Sequence, residues 1–446
     1  MRVSIKHSKL FSAIFEKFTK VRLNKPITGV STDSREIHNG DLYIALVGQK
    51  VDGHSFLTMA EISGASAALV KNQSEELNIQ QIKTDNPILL ISKIAKDWRR
   101  SFDIPVIGIT GSNGKTSTKE LLSHVLKSKY QVHATEGNFN TSIGVPLTLL
   151  GINESHEIAI LELGASIMGE IKSLCRIARP TYGLITNIAP AHLEGFGSLK
   201  NIAHEKGALF RFSDDCTSFV NKADKLISKL STRGKRVTYG LNQESDFKAD
   251  IVHEDDNKLT LIVNNHIIKT RSQNLSFIKN CIAVYAVSVT IGVDLKDIEN
   301  SFKNFEGPKG RCFVKQIKSM TIIDDTYNAN LTSSLASLDY LEAFSGNGRK
   351  LFVFGDMFEL GPSSNQQHRK IGIKCSQLNL DIVYTIGEYS KHTGYALDNK
   401  IEHSHFSDQK ELIQTLKNIL LPGDKVLFKG SRGMRMENII EGVFKS

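Results

Sequence analysis

Pro105-Val-Ile-Gly-Ile-Thr-Gly-Ser-Asn-Gly-Lys-Thr-Ser-Thr118 changes character twice within a short space. Four of the five residues from 106 to 110 are β-branched. That composition suits a buried strand, because branching at Cβ restricts χ1 in a helix and packs well on a pleated surface. Gly111 and Gly114 then break the run, and residues 117–127 carry apolar side chains at helical spacing. A strand, a glycine turn and a helix N-terminus together form an anion site, where free backbone N–H groups and the positive end of the helix dipole face the ligand. Gly111, Ser112, Asn113, Gly114, Lys115, Thr116 and Ser117 are therefore candidates to cradle the phosphates of a nucleotide. Lys115 would supply a mobile positive charge for the β- and γ-phosphates, and the Thr116 hydroxyl a ligand for Mg²⁺. The spacing departs from the usual G-x-x-x-x-G-K-[ST], since Ile109 stands where the first glycine would be.

The chain around this loop has 446 residues, too many for one core and enough for about three domains. Its 40% hydrophobic and 23% charged content is that of an ordinary soluble globular protein. No run approaches the roughly 18 apolar residues that a membrane span needs. The N-terminus, Met1-Arg-Val-Ser-Ile-Lys-His-Ser-Lys-Leu10, has no apolar signal core, so export is not expected. Cys175, Cys216, Cys281, Cys312 and Cys375 are scattered and lack C-x-x-C spacing, which fits a reducing cytoplasm better than a disulfide framework or a zinc site. The net charge of +9 could suggest nucleic acid. No Lys/Arg run or aromatic-basic module accompanies it, and a polyanionic small substrate or a general lysine bias explains the same excess.

Taken in order, residues 1–102 read as a small mixed α/β domain. Gly29-Val-Ser-Thr-Asp-Ser-Arg35 is a polar turn, residues 42–47 a strand after the Asn39-Gly-Asp41 turn, 55–63 a helix and 67–70 a further strand. An apolar run over 87–92 and a helix over 94–102 lead to the phosphate loop. Residues 103–309 alternate strand and helix patterns, which implies a mostly parallel sheet with helical crossovers. Its strands are expected at 106–110, 157–162 and 182–187. Each ends in or just before a polar residue, the place where ligands bind in open α/β sheets. Glu162 and Asn187 are candidates on that ground, with His192 just beyond. Residues 310–446 form a second α/β unit without a Gly-Lys-Thr loop. Strands are expected at 321–325, 350–355, 381–386 and 425–429, and helices near 332–344, 363–378, 408–420 and 433–444. Polar groups again stand at its strand ends: Asp324 and Asp325, Asp356, and Lys429-Gly-Ser-Arg432.

In this order the fragments resemble the Mur ligase family, ATP-dependent amide ligases of bacterial cell-wall synthesis. Thr110-Gly-Ser-Asn-Gly-Lys-Thr116 matches that family's shorter phosphate loop. Gly137-Asn-Phe-Asn-Thr-Ser-Ile-Gly144, Leu161-Glu-Leu-Gly164 and Asn187-Ile-Ala-Pro-Ala-His-Leu-Glu-Gly195 match its next blocks. The resemblance spans nearly the whole chain. It implies a three-domain α/β architecture: a UDP-sugar-binding domain over 1–102, a central P-loop-type ATPase domain over 103–309, and a C-terminal Rossmann-like ligase domain over 310–446. Asp324-Asp-Thr-Tyr-Asn-Ala-Asn330, Gly355-Asp-Met-Phe-Glu-Leu-Gly361 and Lys429-Gly-Ser-Arg432 resemble the branch that joins D-alanyl-D-alanine to a UDP-N-acetylmuramoyl tripeptide through an acyl phosphate. On that reading ATP is the cofactor, two Mg²⁺ ions assist, and the partners are those two small substrates. A cytoplasmic monomer with no nucleic-acid partner and no membrane insertion is expected.

The resemblance also implies roles by position. Lys115, His192 and Lys206 would be catalytic; Thr116 and Glu162 would hold one Mg²⁺, and His192 a second. Lys206, in Ala203-His-Glu-Lys-Gly207, matches the family's carbamylated lysine, whose carbamate is an anionic oxygen ligand where an ammonium could not bind a cation. Asn280, Arg311, Asp325 and Tyr327 would meet the nucleotide. The family's Gly-x-His-Asn is Phe277-Ile-Lys-Asn280 here, and a second asparagine usual three residues later is Ala283. Ser31, Asp33, Ser34, Arg35, Gly48, Asp52 and His54 match the part that binds the UDP-sugar. Asn138, Asn140, Thr141, Asn328, Asn330, Lys429 and Arg432 would face substrate in the cleft. Three rivals remain: a sister Mur ligase, a folylpolyglutamate synthase adding one amino acid, and a non-catalytic P-loop ATP-binding regulator. The sister would carry an Asp-Asn-Pro-Arg-type motif where this chain has Gly355-Asp-Met-Phe-Glu-Leu-Gly361.

Overall fold

Three sheets organise the chain in the computed structural model, which describes residues 1–48, 51–213, 215–253, 259–272 and 274–445. The first sheet runs in sequence order through Arg2–Ser4, Gly29–Ser31, Asp41–Ile44, Ala67–Val70 and Gln80–Lys83. Its first pair is antiparallel and the rest are parallel. The expected strand at 42–47 is shorter than read, because Gly53 N donates back to Leu46 O at 2.8 Å and turns the chain. The expected helix at 55–63 divides into a 3₁₀ turn, Gly53–Phe56, and the α-helix Leu57–Ile62.

One helix, Pro87–Arg100, replaces the apolar run and separate helix read from the sequence. Asn86 caps it by accepting Leu89 N at 2.9 Å, and proline at its start loses no hydrogen bond there. Its buried stripe is Ile91, Ile94, Ala95 and Trp98, the i, i+3, i+4, i+7 spacing of one helix face. That face packs on the helices Ser8–Thr19 and Gly144–Leu150, so the core below the first sheet is continuous with the core on one side of the second. Trp98 Nε1 donates to Ile152 O at 3.0 Å, and Arg99 Nε donates to Ala178 O at 3.2 Å. Buried side chains such as Ile91, Ile94 and Trp98 contribute about 1.5–3 kcal/mol each, so the helix ties the core of the first sheet to that of the second.

The second sheet has nine strands and places Val106–Thr110 in its interior, between Tyr182–Ile185 and Ile158–Glu162, both parallel to it. Beyond Tyr182–Ile185 follow Thr217–Asn221, Arg236–Leu241 and Phe247–His253, then an antiparallel extension Leu259–Val263 and His266–Ile268. Leu275–Ile291, a long and mostly buried helix, packs against the phosphate-loop helix Lys115–Leu126.

The third sheet orders Phe313–Ile317, Met320–Asp325, Lys425–Lys429, Lys350–Gly355, Ile382–Ile386 and Glu402–Phe406. All neighbours are parallel except the first hairpin. Register puts Ile109 opposite Glu162 in the second sheet and Asp325 opposite Lys429 in the third. Polar strand ends of two sheets thereby reach the same cleft. No helix among the described residues is long and apolar enough to cross a membrane.

Candidate active site

Gly111 and Gly114 shape the loop because each occupies a backbone region that other residues rarely adopt, φ +150° and +79°. A Cβ on Gly111 would lie 1.9 Å from Thr186 Oγ1, and one on Gly114 would lie 2.7 Å from Asn280 Nδ2. Thr186 and Asn187, which follow the strand Tyr182–Ile185, tie the loop down. Thr186 Oγ1 donates to Asn113 O at 2.6 Å, Asn113 N donates to Asn187 Oδ1 at 3.0 Å, and Ser112 N donates to Asn187 O at 3.0 Å. Ser112 Oγ donates to Ala189 O at 2.7 Å. The loop is thus held from its flank, and its helix begins at Lys115.

Lys115 Nζ donates back to Gly111 O at 2.9 Å. Desolvation lowers its pKa, Arg311 adds to that, and Glu162 opposes it. Thr116 Oγ1 donates to Glu162 Oε2 at 2.7 Å, and Asn140 Nδ2 donates to Glu162 Oε1 at 2.7 Å. Glu162 is buried, yet among the described residues it makes no ion pair. A buried carboxylate held only by neutral donors suits an oxygen ligand for a hard cation. Behind it, Thr135 Oγ1 accepts Glu162 N at 3.0 Å, and the buried Lys119 ammonium donates to Thr135 O. Lys119 and Thr135 were not legible as site residues; the only signal was a lysine on the buried face one helical turn after Lys115.

The third sheet closes the cleft. Arg311 donates to Thr116 Oγ1 at 2.8 Å, and Asn330 Nδ2 donates to Asn113 Oδ1 at 2.6 Å. Asp325 accepts Cys312 N at 3.1 Å and Ser337 Oγ at 2.6 Å, and pairs with the buried Lys429 ammonium. Lys429 Nζ also donates to Asn328 O at 3.1 Å, and Arg432 N to Asn328 Oδ1 at 3.4 Å. Tyr327 is flanked by the Arg311 guanidinium at 4.0 Å from its ring centre and that of Arg432 at 5.7 Å.

Residues 112–116, Asn140, Glu162, Asn187 and the named groups of the C-terminal segment line one cavity of about 1120 Å³, together with Ser117, Asn138, Thr141, His192 and Asn280. Phe277 and Phe305 line it too, with parallel rings 5.8 Å apart. The His192 imidazole meets the carboxylate of Glu359 in a loop of the third sheet, a contact that holds the Glu359 carboxyl below its ordinary range. Glu359 was quoted within its motif but not singled out.

Gly111, Lys206 and the expected first-sheet residues do not line that cavity. Lys206 is buried at the end of the helix Leu199–Lys206, with its ammonium 5.9 Å from the Phe196 ring. Burial first, then Lys115, pushes its pKa down to about 7, against the pull of Glu205. The first-sheet residues form their own cluster. Ser31 Oγ donates to Asp33 O at 2.9 Å; Asp33 accepts Arg35 N at 3.0 Å and Arg35 Nε at 2.9 Å, and caps the 3₁₀ turn Ser34–Glu36. The hydrogen bond from Arg35 holds the Asp33 carboxyl at about 2. Asp52 accepts His54 N at 2.9 Å and faces its Nδ1 at 2.7 Å, while His54 Nε2 accepts Lys71 N at 2.9 Å. The Gly48 N–H donates to Val51 O at 2.9 Å. Gln49 and Lys50 of the same segment lie outside the described residues.

A phosphate loop with a threonine–carboxylate pair, closed by a second α/β unit across a shared cleft, defines a multidomain nucleotide-dependent enzyme. Family models agree along the chain. The Mur ligase family catalytic domain matches residues 26–96, the Mur ligase middle domain 109–288, and the Mur ligase glutamate ligase domain 310–432. The chain is similar to UDP-N-acetylmuramoyl-tripeptide–D-alanyl-D-alanine ligase of Bacillus subtilis, 33% identical over 439 residues and 94% of each chain. Among solved structures it is similar to MurF from Acinetobacter baumannii, with a TM-score of 0.85, 27% identity and 98% of each chain covered. MurF ligase from Thermotoga maritima in complex with ADP superposes with a TM-score of 0.80 at 29% identity, covering 93% of this chain and 97% of that one. The chain belongs to the Mur ligase family.

Proposed function

We propose that this protein is an ATP-dependent ligase that joins D-alanyl-D-alanine to UDP-N-acetylmuramoyl tripeptide, giving UDP-muramoyl pentapeptide, ADP and phosphate for peptidoglycan synthesis. The observation that carries this reading is the Arg311–Thr116–Glu162 hydrogen-bonded series, in which the C-terminal segment reaches the end of the phosphate loop. A carboxylate is a poor electrophile at neutral pH. When the tripeptide's terminal carboxylate attacks the γ-phosphorus of ATP, ADP departs and the acyl oxygen becomes part of a good leaving group. The dipeptide amine then attacks the acyl carbon, an amide bond forms, phosphate leaves and the amine loses its proton. Catalysis of this kind is mainly positioning and charge neutralisation.

Residues 103–309 hold ATP on this reading, 1–102 bind the UDP-sugar, and 310–446 present the dipeptide. Lys115 neutralises phosphate charge; Asn280, Arg311, Asp325 and Tyr327 hold the nucleoside end. Thr116 and Glu162 would hold one Mg²⁺ and His192 a second, and bound Mg²⁺ would offset charge on the phosphoryl oxygens. Lys206 carries a carbamate: with a pKa of about 7 its amine is neutral in a large fraction of molecules, the form that adds CO₂. Ser31, Asp33, Ser34, Arg35 and the Gly48–His54 region contact the UDP-sugar, and Asn138, Asn140 and Thr141 the muramoyl tripeptide. Free thiols throughout, with ATP and a UDP-linked sugar peptide as substrates, fit a cytoplasmic setting.

The test is a phosphate-release assay with UDP-muramoyl tripeptide, ATP, Mg²⁺ and D-alanyl-D-alanine, omitting one at a time. Release is expected only with all four. Efficient turnover with a single free amino acid would replace this reading with that of a sister ligase.

A further inference from the structure

His192 and Glu359 meet from opposite sides of the cleft. His192 caps the short helix Leu193–Phe196 with φ +49°, and Glu359 follows the strand Lys350–Gly355 with φ +61°. Neither is glycine, so both backbones are held in a region that other residues rarely adopt. His192 Nδ1 and Glu359 Oε2 are in direct contact. Beside it, Glu194 N points to Glu359 O at 3.5 Å. The loop that carries Glu359 is anchored one residue earlier. Phe358 N donates to Ser431 Oγ at 2.8 Å, and a Cβ on Gly433 would lie 2.7 Å from the Phe358 ring.

The Glu359 side chain is 56% exposed, and pairs so open to water contribute little to stability. Its consequence lies elsewhere. A carboxylate against Nδ1 keeps the ring proton on that nitrogen and leaves Nε2 as the free acceptor. The ring is also packed edge-on to Phe196, with centres 6.4 Å apart. The carboxylate contact and the ring packing together restrain the orientation of the imidazole.

We infer that Glu359 is a positioning residue for His192, fixing its tautomer and ring orientation only when the C-terminal segment has closed on the central one. The inference rests on the proposed ligase reading and deepens it. The segment that brings the attacking amine would also ready the imidazole beside the acyl phosphate, so activation of His192 waits for the second substrate's domain.

The experiment uses the full chain labelled with ¹⁵N-histidine, with ADP and UDP-muramoyl tripeptide bound, and His192 assigned by comparison with His192→Gln. Wild type should show the ¹⁵N shifts of a ring protonated at Nδ1. Glu359→Gln, whose amide oxygen still accepts, should keep them, and Glu359→Ala should lose them. In phosphate release, Glu359→Ala should lower kcat about 10- to 100-fold with the KM for ATP unchanged. Glu359→Gln should recover part of the loss, and Glu359→Ala should cost little more in a His192→Gln background. Identical His192 shifts in wild type and Glu359→Ala, or losses that simply multiply in the double variant, would overturn the inference. If wild type released no phosphate with the dipeptide, the ligase reading would fail, while the ¹⁵N comparison would still decide the pairing.

Discussion

Asn330 donates its side-chain amide to Asn113 Oδ1 at 2.6 Å, binding a residue of the C-terminal segment into the phosphate loop of the central one. Arg311 does the same three residues further on, at Thr116 in the first turn of the helix. The ATP site is therefore completed by two parts of the chain that lie far apart in sequence, and its behaviour depends on their closure.

Arg311→Ala tests that closure directly. It removes a charged hydrogen bond to the Thr116 hydroxyl and one face of the Tyr327 stack. Bonds of this type are worth about 1.5–3 kcal/mol, so kcat/KM for ATP is expected to fall about 10- to 100-fold. Thermal stability should change little. Asn330→Ala is a less selective probe, because Asn330 also caps the helix Leu331–Glu342 by accepting Ser333 N. Steady-state phosphate release alongside melting curves separates the two effects.

Gly111→Ala should abolish nucleotide binding. The new methyl would meet Thr186 Oγ1 at a φ that disfavours any side chain, and the loop would have to leave the anchor that Thr186 and Asn187 provide. Calorimetric titration with ADP is the measurement. Affinity within twofold of wild type would show that the loop tolerates the displacement.

Lys206→Ala should lose most activity and regain part of it when short carboxylic acids are added, since they can occupy the place of the carbamate. Wild-type turnover in the variant would refute the carbamate. Depletion of CO₂ should reduce wild-type activity and leave the variant unchanged.

His133 gives the fold an acid-sensitive point away from the active cleft. Burial first, and then His156, lowers its pKa to about 4, although its Nε2 lies 2.6 Å from Thr148 O. The unfolded chain, titrating near 6.5, binds more protons between those values. Stability is therefore lost as pH falls from about 6.5 to 4, by up to roughly 3 kcal/mol for this group. His133→Gln should flatten that part of the Tm-against-pH profile. A profile as steep as that of wild type would place the acid sensitivity in other groups, His156 first among them.

Much of the fold was legible because its signals are local. The strand Val106–Thr110 stands where its β-branched residues placed it, and Lys350–Gly355 and Lys425–Lys429 also agree residue for residue. Glu402–Phe406 escaped notice: Glu-His-Ser-His-Phe is a polar edge strand with most of its side chains toward solvent, so no apolar alternation marks it. The helix Pro87–Arg100 was divided in the reading because its apolar run looked self-contained; the Asn86 cap and the Trp98 anchor in a neighbouring core make it one element.

The sequence by itself determined the phosphate loop and the polar ends of the strands, since glycine freedom, β-branching and helix start are properties of a few consecutive residues. It also determined the family, through motifs kept in order along the chain. Only the tertiary structure decided the pairs: Asn113 with Asn330, Thr116 with Arg311, His192 with Glu359, and Lys119 with Thr135. These contacts carry no periodicity and no fixed spacing. They arise where sheet register and core packing bring separate strand ends together, which no local run of residues encodes.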